Sequence, residues 1–139
     1  MSKSKFVIQP IGVVRSSLTN LADAPRQGDE GGQEAWLELN EQVAAGLVGL
    51  AVDDQLIVLT WLHLAERDVL QVHPRGQLDR PVSGVFATRS PARPNPVGLH
   101  QVSILEIGTH ALKVAPLEAV DGTPLVDIKP VLSAHLAER

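Results

Sequence analysis

The stretch "ATRSPARPNPVGL", residues 87–99, places two arginines among three prolines. Each proline fixes its own φ angle and pushes the preceding residue toward an extended conformation, so we expect a rigid backbone here. A rigid segment that presents Arg89 and Arg93 is suited to bind a carboxylate or a phosphate, because a guanidinium donates paired hydrogen bonds to either group. Little entropy is lost when such a segment binds a ligand. The structural alternative is a stiff crossover between two strands.

Histidines and further arginines are the other side chains with possible chemical roles. His63 lies at the end of the apolar run "QLIVLTWLHL", where it either packs in the core or binds a ligand. Because His63, His73 and His100 lack the tight spacing of metal ligands and the chain has no cysteine, we expect no metal site. Arg75 and Arg80 are either solvated or in contact with RNA phosphate.

The elements that must position these residues are mainly short strands. The run 55–64 is apolar almost throughout, which predicts a central strand covered on both faces. Asn40 is a good N-cap for a short helix over 41–50. We expect long connections at 20–33 and at 67–83, the second starting with a helical turn. Further strands are predicted at 6–14, 34–40, 84–88, 99–107, 111–116 and 124–130.

This pattern predicts a mostly β fold, a small barrel or sandwich of short, largely antiparallel strands with one or two short helices. A length of 139 residues predicts one domain over 1–139, with its core at about 6–130 and a tail at 131–139. The net charge of −4 is unlike that of a basic nucleic-acid binder, but residues 71–100 carry four arginines and one aspartate, locally +3. We find no membrane span and no secretory signal, so we expect a cytoplasmic protein.

Five blocks of the sequence, in chain order, resemble the TsaA-like, or TrmO, family over about residues 11–130. They are "PIGVVRS", "APRQG", "HPRG", "GVFATRSPARPNPVGL" and "DGTPLVDIKP". The resemblance implies a small β-barrel that binds S-adenosylmethionine, forms a homodimer, and methylates the exocyclic amine of threonylcarbamoyladenosine beside the tRNA anticodon. The sequence has no G-x-G-x-x-G after a strand, so a Rossmann-type cofactor site is not expected.

The same resemblance implies a set of cofactor-binding residues. Arg26 and Arg89 are suited to the methionine carboxylate, and Leu64 and Leu99 to an apolar wall for the adenine. Backbone groups of the pair Asp121-Gly122 could bind the adenine or ribose edge, although an Asp-Gly pair is also an ordinary turn. The full set is Pro25, Arg26, Gln27, His63, Leu64, Arg89, Leu99, Ala119, Val120, Asp121 and Gly122.

One catalytic residue and four substrate-binding residues are expected to act on the acceptor. Methyl transfer to an amine needs alignment and the loss of a proton, and the Asp127 carboxylate is suited to accept a hydrogen bond from that amine. An ion pair between Asp127 and Lys129 is the alternative. Arg75, Arg93, Asn95 and Lys129 are expected to bind the substrate, and Arg93 and Asn95 are also suited to brace their loop.

Three functions follow from the resemblance: methylation of tRNA, methylation of another acceptor, and binding of S-adenosylmethionine without catalysis. The longer bacterial members of the family carry a C-terminal domain that helps to engage tRNA. The continuation after "DIKP" here is "VLSAHLAER", which differs from the aromatic and acidic residues usual in the family.

Overall fold

The computed structural model describes residues 4–17, 33–73 and 77–133, and these form eight strands and two short 3-10 helices. The 3-10 helices are Glu41–Leu47 and Val85–Ala87. The strands are β1 Gly12–Arg15, β2 Ala35–Leu39, β3 Gln55–Trp61, β4 Gln71–Val72, β5 Ser83–Gly84, β6 Val97–Gly108, β7 Ala111–Ala115 and β8 Pro124–Pro130.

Six of these strands close into a barrel in the order β1-β2-β7-β6-β3-β8, and β8 pairs again with β1. Every pairing is antiparallel. β4 and β5 form a separate two-stranded sheet within the chain segment between β3 and β6. The prediction of a mostly β fold, a small barrel of antiparallel strands with one or two short helices, is confirmed.

The alternation of side chains decides which face of each strand lies inside the barrel. In β2, Ala35, Leu37 and Leu39 are buried while Trp36 and Glu38 are not, as the sequence pattern predicts. β3 alternates in the same way, so within the single chain only its inner face is fully covered, whereas the sequence predicts that both faces are. β3 is central because it lies between β6 and β8, and its apolar outward residues are only half-buried.

The core fills the barrel with aliphatic side chains from all six strands. Leu47 and Leu50 pack against it from the segment after β2 and cover one end. Asn40 occupies the N-cap position of the first 3-10 helix, but its side-chain amide donates to the Pro10 carbonyl (3.0 Å) rather than capping the helix. Fully buried core residues are Val14, Leu37, Leu56, Val58, Ile104, Leu112, Val114, Leu117 and Leu125.

Three predicted elements differ in the structure. The strand predicted at 6–14 begins only at Gly12, since Pro10 has no N–H to continue the ladder, and Phe6 is 88% exposed. The strand predicted at 84–88 is replaced by the end of β5 and a 3-10 turn, because the Thr88 amide and hydroxyl both donate to the Val85 carbonyl. The connection 67–83 contains β4 and no helical turn among its described residues.

The strand register places several connections at the same end of the barrel. Thr60 of β3 pairs with Gly98 of β6 and with Leu125 of β8, so the last residues of β3 lie beside the first residues of β6 and β8. The segments that leave this end, which we call the loop end, are 62–67, 85–96 and 117–123. The opposite end, which we call the helix end, carries the helix Glu41–Leu47 and the β6–β7 turn.

Candidate functional site

The turn before β8 is tied to the end of β1. The Ser16 hydroxyl donates to the Ala119 carbonyl (2.6 Å), and the Ser16 amide donates to the Asp121 carboxylate (3.1 Å). The Gly122 amide donates to the Val14 carbonyl (2.7 Å), and Gly122 has φ +88°, a backbone conformation that favours glycine. Ala119 and Val120 are buried, so the predicted Asp-Gly turn is held in one position.

The segment after β3 runs beside the proline-rich segment before β6. The Leu62 amide donates to the Pro96 carbonyl (2.8 Å), and the Ala65 amide returns to the Leu62 carbonyl (2.9 Å). His63 and Leu64 lie between these two bonds, and both are exposed. His63 is therefore not a core histidine, because β3 ends at Trp61 and the chain has already left the barrel wall.

The two arginines of the proline-rich segment differ in their surroundings. The Arg93 Nη1 atom donates to the Thr88 carbonyl (3.1 Å) and to the Ser90 carbonyl (3.0 Å), so this guanidinium crosslinks its own loop. The Arg93 amide also donates to the Glu66 carbonyl (3.1 Å). Arg89 is exposed at the loop end.

Arg67 joins the same two loops, and the sequence analysis did not single it out. Its Nε donates to the Pro94 carbonyl (2.7 Å) and its Nη2 donates to the Asn95 side-chain oxygen (3.0 Å). The guanidinium carbon lies 5.1 Å from the centroid of the Trp61 ring. Since 28 positions separate Arg67 from Asn95, no local spacing could have indicated this contact.

Leu99 and Asp127 lie on the outer face of the barrel wall, on either side of Leu59. In the strand register Leu59 pairs with Leu99 of β6 and with Asp127 of β8. Because neighbouring strands are about 4.8 Å apart, the backbones at Leu99 and Asp127 lie about 10 Å apart. Leu99 is 49% exposed. The Asp127 carboxylate pairs with the Lys129 ammonium (3.3 Å) and accepts a hydrogen bond from the Ile128 amide (2.9 Å).

A polar pair inside the barrel lies directly below the loop end. The Thr60 hydroxyl, which is fully buried, is 2.9 Å from His100 Nε2. Burial of the ring lowers the pKa of His100 from 6.5 to about 4, since the charged imidazolium is disfavoured away from water. Gly98 makes room for this pair, because a Cβ at position 98 would lie 2.9 Å from His100 Nε2 and would also overlap the Thr60 hydroxyl.

Some predicted residues cannot be compared with the structure. Pro25, Arg26, Gln27 and Arg75 lie outside the described residues. Within residues 4–17, 33–73 and 77–133, no group of three or more metal-binding side chains occurs. Nor does any helix in those ranges have the length and apolarity to cross a membrane.

An apolar depression of about 220 Å³ lies at the helix end, away from the predicted residues of the loop end. Its lining includes Leu39, Val43, Leu47 and Leu50, together with Asp127. Apart from Asp127 it contains none of the predicted cofactor or substrate residues. Of the predicted site residues, His63, Leu64, Arg89 and residues 119–122 lie at the loop end. Asp127 and Lys129 lie along the barrel wall.

The fold and the site define a class of protein: a closed six-stranded antiparallel barrel that presents an exposed arginine, apolar side chains and a fixed Asp-Gly turn at one end. The family model of the tRNA-methyltransferase O N-terminal domain matches residues 13–135. The chain belongs to this family.

Two archaeal relatives and a solved structure extend the comparison. A "probable S-adenosyl-L-methionine-binding protein" of Methanothermobacter thermautotrophicus is 48% identical over 130 residues, covering 94% of this chain and 93% of that one. An "S-adenosyl-L-methionine-binding protein" of Archaeoglobus fulgidus is 44% identical over 124 residues, covering 89% and 88%. The crystal structure of TrmO from Pseudomonas aeruginosa superposes with a TM-score of 0.75 at 27% identity. The match covers 99% of this chain but only 61% of that TrmO chain.

Proposed function

We propose that the protein binds S-adenosylmethionine at the loop end of the barrel and transfers its methyl group to an acceptor. The observation that carries this proposal is the convergence of residues 63–64, Arg89 and residues 119–122, which are far apart in sequence, at one end of the barrel. Family membership and the names of the archaeal relatives support the same ligand.

The described residues fit such a ligand in charge and polarity. Arg89 supplies an exposed guanidinium for the carboxylate. Leu64 and Leu99, 51% and 49% exposed, supply apolar surface for the adenine. The Asp121-Gly122 turn offers backbone groups held in place by β1. The other residues proposed to hold the cofactor are Pro25, Arg26, Gln27, His63, Ala119 and Val120.

In the proposed reaction the chain acts by positioning rather than by covalent chemistry. The cofactor, when bound, supplies an electrophilic methyl group on a sulfonium. The loop-end residues then hold the acceptor nitrogen in line with that methyl group and exclude water, which lowers the entropic part of the barrier. The crosslinks made by Arg67 and Arg93 fix the loops before any ligand arrives, so little ordering is required on binding.

The acceptor we propose is the exocyclic amine of (threonylcarbamoyl)adenosine beside the tRNA anticodon. Arg93 and Asn95 contribute to substrate binding mainly by shaping the loop. Arg93 already bonds to Thr88 and Ser90, and Asn95 already accepts a hydrogen bond from Arg67. Arg75 and Lys129 are proposed as contacts to RNA phosphate. A cytoplasmic location belongs to the same proposal, because that is where this substrate is met.

Asp127 stays our candidate for accepting a hydrogen bond from the acceptor amine. Its carboxylate would have to leave the ion pair with Lys129, which is a surface pair between partly exposed groups and therefore weak. Asp127→Ala should lower kcat without changing cofactor affinity. Lys129→Ala keeps the carboxylate but removes a proposed phosphate contact, so it should raise the KM for RNA with little change in kcat. A full methylation rate in Asp127→Ala removes this residue from the mechanism.

We also propose a homodimer that covers the outer apolar face of β3 and β6. Ile57, Leu59 and Trp61 are only half-buried on this face, and Val97 is 39% exposed. A second copy would bury these side chains next to the cofactor residues. Sedimentation of the wild type and of Ile57→Glu tests this: the proposal expects a dimer that the charge converts to monomer, and a monomeric wild type refutes it.

The second candidate function is binding without methyl transfer. It is favoured by the names of the relatives, which describe binding alone, and by the engagement of the Asp127 carboxylate with Lys129. Calorimetry with S-adenosylmethionine followed by mass spectrometry of tRNA nucleosides separates the candidates. No binding at millimolar cofactor refutes both. Binding with unmethylated threonylcarbamoyladenosine refutes tRNA methylation, and assays with other RNAs and small amines then test the alternative acceptor.

A further inference from the structure

Phe86 is 78% exposed although its backbone is tightly held. It is the middle residue of the 3-10 turn Val85–Ala87, and Val85 is buried with 1% exposure. The Val85 amide donates to the Leu70 carbonyl (2.9 Å), and the Thr88 amide donates to the Val85 carbonyl (3.1 Å). The turn is therefore anchored by Val85, and the Phe86 ring projects from a fixed position at the loop end.

Arg93 lies against this ring. Its guanidinium carbon is 5.9 Å from the centroid of the Phe86 ring, within the range of a cation–π contact. Because Arg93 Nη1 is bonded to the Thr88 and Ser90 carbonyls, the guanidinium has a fixed position. It restrains the ring and adds positive charge beside an exposed aromatic surface.

Arg67 and Trp61 form a second pair of a guanidinium and an aromatic ring, and this pair holds two loops together. Arg67 lies 5.1 Å from the Trp61 ring, and Trp61 is half-buried at the end of β3. That pair joins the barrel wall to Pro94 and Asn95. The Arg67 pair therefore braces the loops through a half-buried ring, whereas Phe86 keeps most of its surface open to solvent.

We propose that Phe86 is a stacking platform for the extruded acceptor adenine of an RNA substrate. Single-stranded RNA is commonly bound by stacking its bases on aromatic side chains, and a neighbouring guanidinium strengthens this. Arg89, which we propose as a cofactor residue, follows three positions later in the same rigid segment. A base on the Phe86 ring is therefore presented beside the cofactor residues. This inference rests on the proposed function and deepens it, since it specifies a substrate with an unstacked purine.

RNA binding is tested with an anticodon stem–loop that carries 2-aminopurine in place of the acceptor adenine, because the fluorescence of 2-aminopurine falls when the base stacks. Methylation is assayed on the same stem–loop with threonylcarbamoyladenosine at that position, because 2-aminopurine lacks the 6-amino group that accepts the methyl. The full chain is titrated in the presence of S-adenosylhomocysteine, as wild type and as Phe86→Ala, Phe86→Leu and Phe86→Trp. Phe6→Ala is the matched control, because Phe6 is also exposed (88%) but precedes β1. Cofactor affinity and sedimentation are measured for every variant.

Phe86→Ala should weaken RNA binding about ten- to a hundredfold and remove the fluorescence change. Phe86→Trp should restore both, Phe86→Leu should not, and Phe6→Ala should resemble wild type, all with unchanged cofactor affinity. Wild-type affinity in Phe86→Ala, or full rescue by leucine, overturns the stacking role. A loss of dimer in Phe86→Ala overturns it as well, because the ring then belongs to a protein interface.

The outcomes also separate this inference from the proposed function. Methylation by wild type with unaltered RNA binding in Phe86→Ala refutes the inference alone. Phe86-dependent RNA binding without methylation refutes the methyltransferase proposal alone. If wild type neither binds nor methylates the RNA, both are refuted.

Discussion

The interior of the barrel and its loop end are held together by different forces. The interior is aliphatic, with the Thr60–His100 pair as a buried polar contact. The loop end is held by hydrogen bonds from Arg67, Arg93 and Ser16 to carbonyl groups and to Asn95. Burial of apolar surface supplies most of the stability of a small domain, whereas a single partly exposed hydrogen bond contributes little. Substitutions in the interior should therefore lower the free energy of unfolding, whereas substitutions at the loop end should mainly change ligand binding, turnover or local hydrogen exchange.

The largest expected effect on stability comes from the interior. Leu112→Ala removes a fully buried side chain and should lower the free energy of unfolding by about 2–5 kcal/mol, because it leaves a cavity. Ile107, which pairs with Leu112 but is 44% exposed, provides the control Ile107→Ala. Urea unfolding of both variants measures the difference. Equal destabilisation by the two would contradict the difference in burial between Leu112 and Ile107.

The polar pair in the interior should make stability depend on pH. The pKa of His100 is about 4 when folded and 6.5 when unfolded, so above pH 6.5 both states are neutral and stability is unaffected. As pH falls from 6.5 toward 4, the unfolded state binds a proton that the folded state does not. The free energy of unfolding should therefore fall by about 3 kcal/mol over this window.

Urea unfolding at pH 7 and pH 5 measures this effect. His100→Gln should show a smaller loss of stability at pH 5 than wild type, and His110→Asn, at an exposed turn position with positive φ, should behave like wild type. If His100→Gln and wild type lose stability equally, the imidazole does not titrate as described.

At the loop end, the two arginines of the proline-rich segment should differ. Arg89→Ala should weaken binding of S-adenosylmethionine about tenfold or more with little change in stability, because it removes the exposed guanidinium that we propose pairs with the carboxylate of the cofactor. Arg93→Ala should reduce turnover more than cofactor affinity, since it removes the crosslink to Thr88 and Ser90. Calorimetry measures the cofactor affinity of each variant, and steady-state kinetics measure its turnover. If Arg93→Ala lost cofactor affinity and Arg89→Ala lost only turnover, Arg93 rather than Arg89 would face the cofactor.

Arg67→Ala should have only a small effect on stability. Its hydrogen bonds to Pro94 and Asn95 are exposed to solvent, so the free energy of unfolding should change by less than about 1 kcal/mol. Hydrogen exchange at the Leu62 and Arg93 amides should nevertheless become faster, because the two loops lose a crosslink. Unchanged exchange there would mean that the loops are held by their backbone bonds alone.

Much of the fold was predictable because strand patterning is local. The alternation in β2 and the strands at β6, β7 and β8 followed from apolar spacing and from turn residues. The segment 84–88 was predicted wrongly, since a run of apolar residues does not reveal that Thr88 closes a turn on Val85. His63 is exposed because β3 ends at Trp61. The apolar run continues to Leu64, so the sequence did not indicate this end of the strand.

The sequence by itself determined the class of fold, the family and the rigid proline-arginine segment, because these depend on residue types at short separations. Only the tertiary structure decided that Arg93 crosslinks its loop, that Arg67 reaches Asn95, that His100 meets Thr60 inside the barrel, and that Asp127 pairs with Lys129 on its wall. Two of these contacts, Arg67–Asn95 and His100–Thr60, join residues far apart in the chain, and they exist because barrel closure fixes the strand register. The same closure brings β3, β6 and β8 to a common end, where the candidate site is assembled.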